Sequence, residues 1–494
     1  MNKGKIERID IVLAVVAVLF MFIFMICNPA NKTFTLDEIE WTLKFVCEDS
    51  IGGMFAGLLK YGYNLPLSYL IFHLFYKLPW HGEVALLLPS MIVVIVGVVM
   101  LFFMAYEFFG RLCAYFVLLL SAGSGLLISQ GGWKYRPYSF MFCFSVIVLY
   151  LFLKRLDKES NPITFLYYLF FTMLIYTHWF GILVCAVYGM VDLARVIMKK
   201  ASVKILIYYC ICGLCFLPWF ILMMTTHTNN LADYWAAIPD INSFFSVISY
   251  LLSKNKILAL VACISIVYVI YRTIKLKKIM IEHLLLLCIL FTFGVIFVYS
   301  RFVNPDGSLY VLRYFLVFFP HLLLLMGSFL TDILEYVKGK KRVYTALLIC
   351  ITAFMMISAV FSYKKCIADT IKAENPYKEA SKFIAASDEM FDKNVLVLTS
   401  MGTYWSEFYL RPMVAELPLD MASGKGADDV RLYRENGNSI KKTPISREDL
   451  GKYKRLYLFE LHSDFEDSMR EFLDENYTLI GTDEKSELSI YEHK

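Results

Sequence analysis

The sequence predicts an α-helical polytopic membrane protein with about eleven spans, interfacial helices and a small C-terminal α/β domain. Three observations predict it. The chain is 59% hydrophobic and only 18% charged, against roughly 25% charged in soluble globular proteins. Its apolar residues fall into many separate runs of about 17–25 residues, the length that crosses a bilayer. That pattern stops after Tyr363, where the charged fraction rises and no spanning run follows. The net charge of +5 is small. Its basic residues sit in short clusters between apolar runs, so nucleic acid is not an expected partner.

The first apolar segment, 9–27, is longer than the core of a secretory signal, and no A-x-A-like cleavage site follows it. It is expected to remain as the first span. The further expected spans are 84–107, 112–129, 138–153, 162–177, 180–197, 204–223, 256–271, 281–299, 310–332 and 343–361. The segment "NLPLSYLIFHLFYKLPW", 64–80, offers too few residues between polar boundaries for a span of roughly 20. An interfacial or re-entrant helix is expected there.

Lys and Arg gather in the cytoplasmic loops of membrane proteins. With 64–80 kept out of the count, "MNKGKIER", Arg111, "KRLDK", "RVIMKKASVK", "YRTIKLKK" and "VKGKKR" all fall on one side. This predicts a multi-pass protein of the cell (inner) membrane with its N-terminus cytoplasmic and its C-terminal region extracytoplasmic. The expected division is a membrane domain over 1–363, with a long first outer loop at 28–83, and a soluble domain over 364–494.

In the C-terminal region Asn375 and Pro376 read as the cap and first position of a helix. Segments 394–399, 455–461, 477–481 and 488–493 read as strands. Residues 463–476 read as a helix capped by Ser463 with Glu466 three residues on. "NGNSIKKTP", 436–444, reads as an exposed loop. No Gly-rich phosphate loop and no metal spacing occurs in this domain. The cysteines lie mostly inside apolar runs, and "CICGLC" (210–215) reads as small-residue helix packing rather than a ligand set.

The outer loops carry the candidate chemistry. In "TFTLDEIEWTL" (33–43) Asp37 and Glu38 start a helix, where acids favour the N-terminal dipole. Thr35 and Glu38 have capping-box spacing. "SQGGWKYRPYSF" (129–140) places Lys134 and Arg136 against the positive-inside bias, among Trp133, Tyr135 and Tyr138. Two readings stand. One is a membrane-interface belt with snorkelling cations. The other is a phosphate clamp, for which guanidinium geometry is suited. Arg313 lies near the outer end of a span, where charge is costly unless paired or hydrated. His178 starts another span, and Arg301 lies in the same outer set.

One base and several cations suit transfer of a sugar from a phosphate leaving group. That group needs charge stabilisation, and the acceptor hydroxyl needs a base. A glycosidase needs two carboxylates set apart across the scissile bond. Neighbouring acids sit about 100° apart around a helix, so Asp37 and Glu38 do not both face one substrate.

The order of these features resembles bacterial C-type (GT-C) membrane glycosyltransferases of family 39, the protein O-mannosyltransferase and aminoarabinose-transferase-like set. The matching stretches are "LDE" (36–38), "NLPLSYLIFHLFYKL" (64–78), "SQGGWKYRPYSF" (129–140), "YTHWFG" (176–181) and "LYVLRYFLVFFPHLLLL" (309–325), covering residues 1–361. The resemblance implies an inverting transferase with a polyprenyl-phosphate sugar donor. Its acceptor would be a lipid-linked glycan, a cell-envelope polymer or a protein. Asp37 would be the catalytic base, with Glu38 supporting the acceptor or the helix. Arg136 and Arg313 would bind the donor phosphate, with Tyr138 and His178 near the site and Lys134 and Arg301 on the same face. The resemblance implies no defined cofactor and leaves a divalent metal open. The chain departs from the family pattern in two places. Asn64-Leu65-Pro66 stands where the family often has His-Pro-Pro, and no acid precedes "RPY". Other readings of the same features are a transporter or flippase of lipid-linked sugars and a non-catalytic assembly subunit.

Overall fold

The computed structural model describes residues 6–27, 34–61, 64–79, 82–158, 160–226, 236–276, 280–372, 378, 381–383, 394–400, 420–436, 439–460, 464–483 and 487–494. Asn375, Pro376 and Ser463 lie outside the described residues. The chain forms two compact units, Met1–Ala30 with Ile51–Ile371, and Asn31–Ser50 with Lys372–Lys494.

The first unit is a helical bundle. Its helices are α1 (Arg8–Cys27), α2 (Ile51–Tyr61), α3 (Pro66–Tyr76), α4 (Glu83–Phe109), α5 (Arg111–Ala122), α6 (Tyr138–Asp157), α7 (Asn161–Ile175), α8 (Trp179–Ile197), α9 (Lys204–Thr226), α10 (Ser243–Leu251), α11 (Lys256–Leu276), α12 (Ile281–Val298), α13 (Phe319–Val337) and α14 (Lys341–Lys372). Nine described helices are long and apolar enough to cross a membrane, counting Leu312–Val337 as one. The other two expected spans correspond to α5 and α7, of 12 and 15 residues, short of the roughly 20 that a perpendicular span needs.

The run at 112–129 is broken for a packing reason. A Cβ on Gly123 would stand 2.7 Å from the Ala359 Cβ, and one on Gly125 2.6 Å from the Ser362 carbonyl oxygen. The end of α5 thus presses its backbone on α14. Helix α3 begins with Pro66 at its first turn and runs only 11 residues, as its length predicted.

Helices α6 and Leu312–Val337 form the centre, with 83% of each apolar window buried, whereas α9 and α14 bury 17% and 6%. The outer helices therefore offer apolar faces to the surroundings. In "CICGLC" only Cys212 is buried, with its thiol on the Tyr168 carbonyl, while Cys210 and Cys215 are exposed. The packing reading holds for one cysteine of the three, because α9 lies at the rim.

Several buried charges within the bundle are paired. Asp10 is fully buried and accepts from Arg111 Nε at 2.8 Å and Tyr106 at 3.2 Å. Arg155 pairs with the fully buried Asp192 and lies 4.2 Å from the Tyr167 ring. Asp192 also accepts from Arg195 at 2.7 Å and Tyr209 at 2.8 Å. These contacts join α6, α7, α8 and α9.

The second unit holds a seven-stranded sheet of order β4-β3-β2-β1-β5-β7-β6. Its strands are β1 (Val395–Thr399), β2 (Asp420–Ser423), β3 (Arg431–Asn436), β4 (Ser439–Pro444), β5 (Arg455–Phe459), β6 (Tyr477–Asp483) and β7 (Leu488–His493). β1 is parallel to β2 and β5, and the outer pairs are antiparallel. α16 (Asp467–Asn476), which follows the one-turn α15 (Arg447–Leu450), brings Met469, Phe472 and Leu473 to a core with Leu396, Leu398, Leu456 and Leu458. The helix starts later than 463 because Phe465 is itself drawn into that core. Residues 439–444 are a strand, not a loop, with Leu432 opposite Thr443. A neighbouring strand supplies the pairing that their polar composition hides.

Candidate active site

The loop "WKYRPY" is held from several sides. The Trp133 indole donates to the Met25 carbonyl at 2.9 Å and stacks on Phe24 at 5.8 Å. Tyr135 packs on Phe72 of α3 at 4.3 Å, and Ser90 donates to the Lys134 carbonyl at 3.2 Å. Trp133, Tyr135 and Tyr138 are all buried. They are not a membrane-interface belt. Their side chains instead anchor the loop that presents Arg136, itself buried, while Lys134 is half-buried.

Arg313 arrives from a different element. It lies in the seven-residue 3-10 helix Leu312–Phe318 that leads into α13. Runs of 3-10 helix longer than three or four residues are uncommon and mark strain or function. Its Nε donates to the Tyr138 hydroxyl at 2.8 Å. Both guanidinium carbons, of Arg136 and Arg313, stand 5.9 Å from the Tyr138 ring. Two cations thus share one phenol.

His178 completes the cluster. It lies 4.7 Å from the Tyr314 ring and 6.1 Å from the Tyr138 ring, centroid to centroid. It caps α8, its Nδ1 accepting from the Phe180 N–H at 3.2 Å. A neutral imidazole that accepts at Nδ1 carries its proton on Nε2. Desolvation, with the charges of Arg136 and Arg313, pushes the His178 pKa down to about 3. The ring is half-buried by surface yet strongly desolvated. It is a neutral donor at physiological pH.

Tyr250 of α10 was not among the expected residues. Burial pushes its pKa up to about 12 although Arg313 opposes the shift, so its hydroxyl stays protonated. Tyr314 was also missed, though it follows Arg313 directly. Arg301 is exposed in the π-helical turn Tyr299–Val303. Among the described residues no hydrogen bond or ring contact brings it to the arginine pair.

The two acids belong to the other unit and form their own local structure. Asp37 is half-buried and Glu38 fully buried in the turn Leu36–Glu38. Glu38 accepts from the Thr35 N–H at 3.0 Å and from the Thr35 hydroxyl at 2.9 Å. This is half of the expected capping box, with the acid reaching back as the spacing predicted. A π-helical stretch, Ile39–Leu43, follows at once. Another, Leu127–Gly132, precedes the Arg136 loop. Such bulges are frequent at functional sites. Among the described residues no group of three or more His, Cys, Asp or Glu could hold a metal ion.

No family model matches the chain, and no curated protein sequence does. Solved structures do. ArnT from Cupriavidus metallidurans bound to undecaprenyl phosphate shares the fold at a TM-score of 0.62 over 97% of both chains, with 13% identity. The apo state of that protein matches at 0.61, again over 97% of both chains and at 13% identity. The chain thus shares the fold of ArnT. The likeness spans helical bundle and terminal sheet alike. Within that fold the arginine pair lies where one short loop and one 3-10 segment converge on Tyr138.

Proposed function

We propose that this protein is a membrane glycosyltransferase that moves a sugar from a polyprenyl-phosphate donor to a hydroxyl acceptor on the extracytoplasmic face, with inversion. One observation carries the reading. Arg136 and Arg313 share Tyr138 beside a neutral His178, at the end of a bundle with the C-type fold. Two guanidiniums and nearby neutral donors make an anion site, and the similar ArnT structure holds undecaprenyl phosphate.

The donor phosphate would lie between the two guanidiniums, with His178 Nε2–H and the tyrosine hydroxyls donating to its oxygens. The acceptor oxygen attacks the anomeric carbon from the face opposite the phosphate. The carbon–oxygen bond to phosphate breaks, and its electron pair leaves on the lipid phosphate. Asp37 takes the proton of the acceptor hydroxyl. Glu38 has its carboxylate committed to Thr35, which favours Asp37 as the base and Glu38 as the support of its turn. The acceptor class, lipid-linked glycan, envelope polymer or protein, follows from the same chemistry, since each offers a hydroxyl.

The test is transfer of a labelled sugar from polyprenyl phosphate by the reconstituted full chain. Asp37→Asn should lower the rate by roughly 10²–10⁴, the usual worth of a positioned base, with donor binding kept. Near-normal transfer by a folded Asp37→Asn protein would remove Asp37 from that role. Movement of the donor across the bilayer without a covalent product would make the protein a flippase instead.

A further inference from the structure

A cavity of about 400 Å³ lies where the end of α5, the start of α11, the first residue of α13 and the second half of α14 meet. Its walls are apolar, with Leu119, Leu258, Phe319, Phe354 and Met355. Its polar lining comes from three places, with Ser124 just past the end of α5. Ser253, Lys254 and Asn255 come from the turn before α11, and Ser358, Ser362 and Lys365 from α14. The lining includes two lysines and no acid.

The rim hydroxyls are oriented by their neighbours. Ser253 Oγ accepts from the Leu126 N–H at 3.2 Å, and Ser362 Oγ from the Gly125 N–H at 2.8 Å. Ser358 Oγ accepts from Asn255 Nδ2 at 3.2 Å. A hydroxyl that accepts still has its own O–H to give. The rim therefore presents ammonium groups and O–H donors together, which is the chemistry of an anion site. Ser253 and Lys254 both hold positive φ, at 58° and 61°, a conformation rare for residues with a side chain. That turn carries Lys254 to the rim, where it and Lys365 are exposed.

The cavity belongs to the bundle's outer surface. Its wall helices α14 and α11 bury only 6% and 28% of their apolar windows. Their outward faces meet the bilayer in any spanning arrangement, so the slot is supplied from the lipid around it. The geometry points to a binding site for one anionic glycerophospholipid, with an acyl chain between α5, α11 and α14 and its headgroup phosphate on Lys254 and Lys365. The apolar slot excludes the headgroup, and the acid-free lysine rim selects an anionic lipid over a zwitterionic one. The inference does not depend on the transfer reading. The site is joined to the arginine cluster along the chain. Phe319 directly follows the 3-10 helix that carries Arg313, and Leu252 is two residues from Tyr250.

The test uses the full chain in mild detergent, delipidated and then given phosphatidylglycerol, phosphatidylcholine or undecaprenyl phosphate, with bound lipid counted by native mass spectrometry. Wild type should retain one phosphatidylglycerol and little phosphatidylcholine. The Lys254→Gln/Lys365→Gln variant should bind phosphatidylglycerol roughly five- to thirty-fold more weakly, as expected from the worth of each lysine against an anionic headgroup. A photoactivatable phosphatidylglycerol on the wild-type chain gives a second reading that needs no variant. Its crosslinks should map to α14 around Phe354 and Met355. Equal retention of the two phospholipids, unchanged binding by the double variant, or crosslinks elsewhere would overturn the proposal. Displacement of phosphatidylglycerol by an equimolar amount of undecaprenyl phosphate would overturn the occupant and make the slot a carrier-lipid site.

Discussion

Two arginine sites in the bundle are built in opposite ways. Arg155 is closed off, with its charge matched by Asp192 and its face covered by Tyr167. Arg136 and Arg313 are set toward a common point, Tyr138, beside a histidine that desolvation, with both arginines, holds neutral. Two guanidiniums beside one phenol can both donate to an anion placed between them. A buried matched pair instead holds helices in register. On the proposed reading the same side chain is structural in one place and holds a donor phosphate in the other, and its neighbours distinguish the two.

The comparison can be broken by substitution. Arg155→Ala leaves Asp192 buried beside its remaining partners and should destabilise the protein by roughly 3–5 kcal/mol, read as a fall in thermal unfolding temperature in detergent. Arg313→Ala should leave that temperature nearly unchanged and cut transfer by roughly 10²–10³, the loss seen when a preorganised donor to developing charge is removed. If the two variants exchange these phenotypes, the assignment of roles is wrong. Tyr138→Phe keeps the ring and deletes the hydroxyl that Arg313 holds at 2.8 Å. A hydrogen bond to a charged group is worth about 1.5–3 kcal/mol, so transfer should drop about ten- to a hundred-fold.

His178 gives a pH signature. Its folded pKa of about 3 lies below the ordinary 6.5. Between those values the unfolded chain binds the extra proton, so stability rises with pH across that window and is level above it. Wild type should lose stability progressively from about pH 6.5 down to about pH 3, and His178→Gln should lose less over the same range. An identical acid profile for the two proteins would count against the buried neutral ring. The smallest effect belongs to Thr35→Ala, which removes one hydroxyl bond to Glu38 and should cost about 1 kcal/mol of local stability. Amide exchange at the start of that turn would report it.

Much of this was legible in the sequence because long apolar runs bounded by basic residues leave few alternatives. The expected 9–27, 84–107 and 204–223 became Arg8–Cys27, Glu83–Phe109 and Lys204–Thr226. The short 64–80 segment declared itself by length and by Pro66. The break at Ala122 did not, because Gly123 and Gly125 terminate α5 through contact with α14, far along the chain. Arg136, Tyr138, His178 and Arg313 were legible as charges and rings at span ends, and their meeting was not. Tyr250 gave no signal, since "VISYLL" reads as any amphipathic helix. The tautomer of His178 depends on a single backbone N–H. In the second unit, polar strands such as Ser439–Pro444 exist through their neighbours, and composition alone passes them over.

The 3-10 winding of Leu312–Phe318 acts as a screw thread. It advances about 2.0 Å and 120° per residue, where an α-helix advances about 1.5 Å and 100°. Over the five steps from Arg313 to Phe318 the difference amounts to about 2.5 Å and about 100°. Wound as α-helix, the same residues would retract the guanidinium toward the bundle and swing it off the Tyr138 hydroxyl. The pitch of one short segment therefore sets whether the two arginines converge.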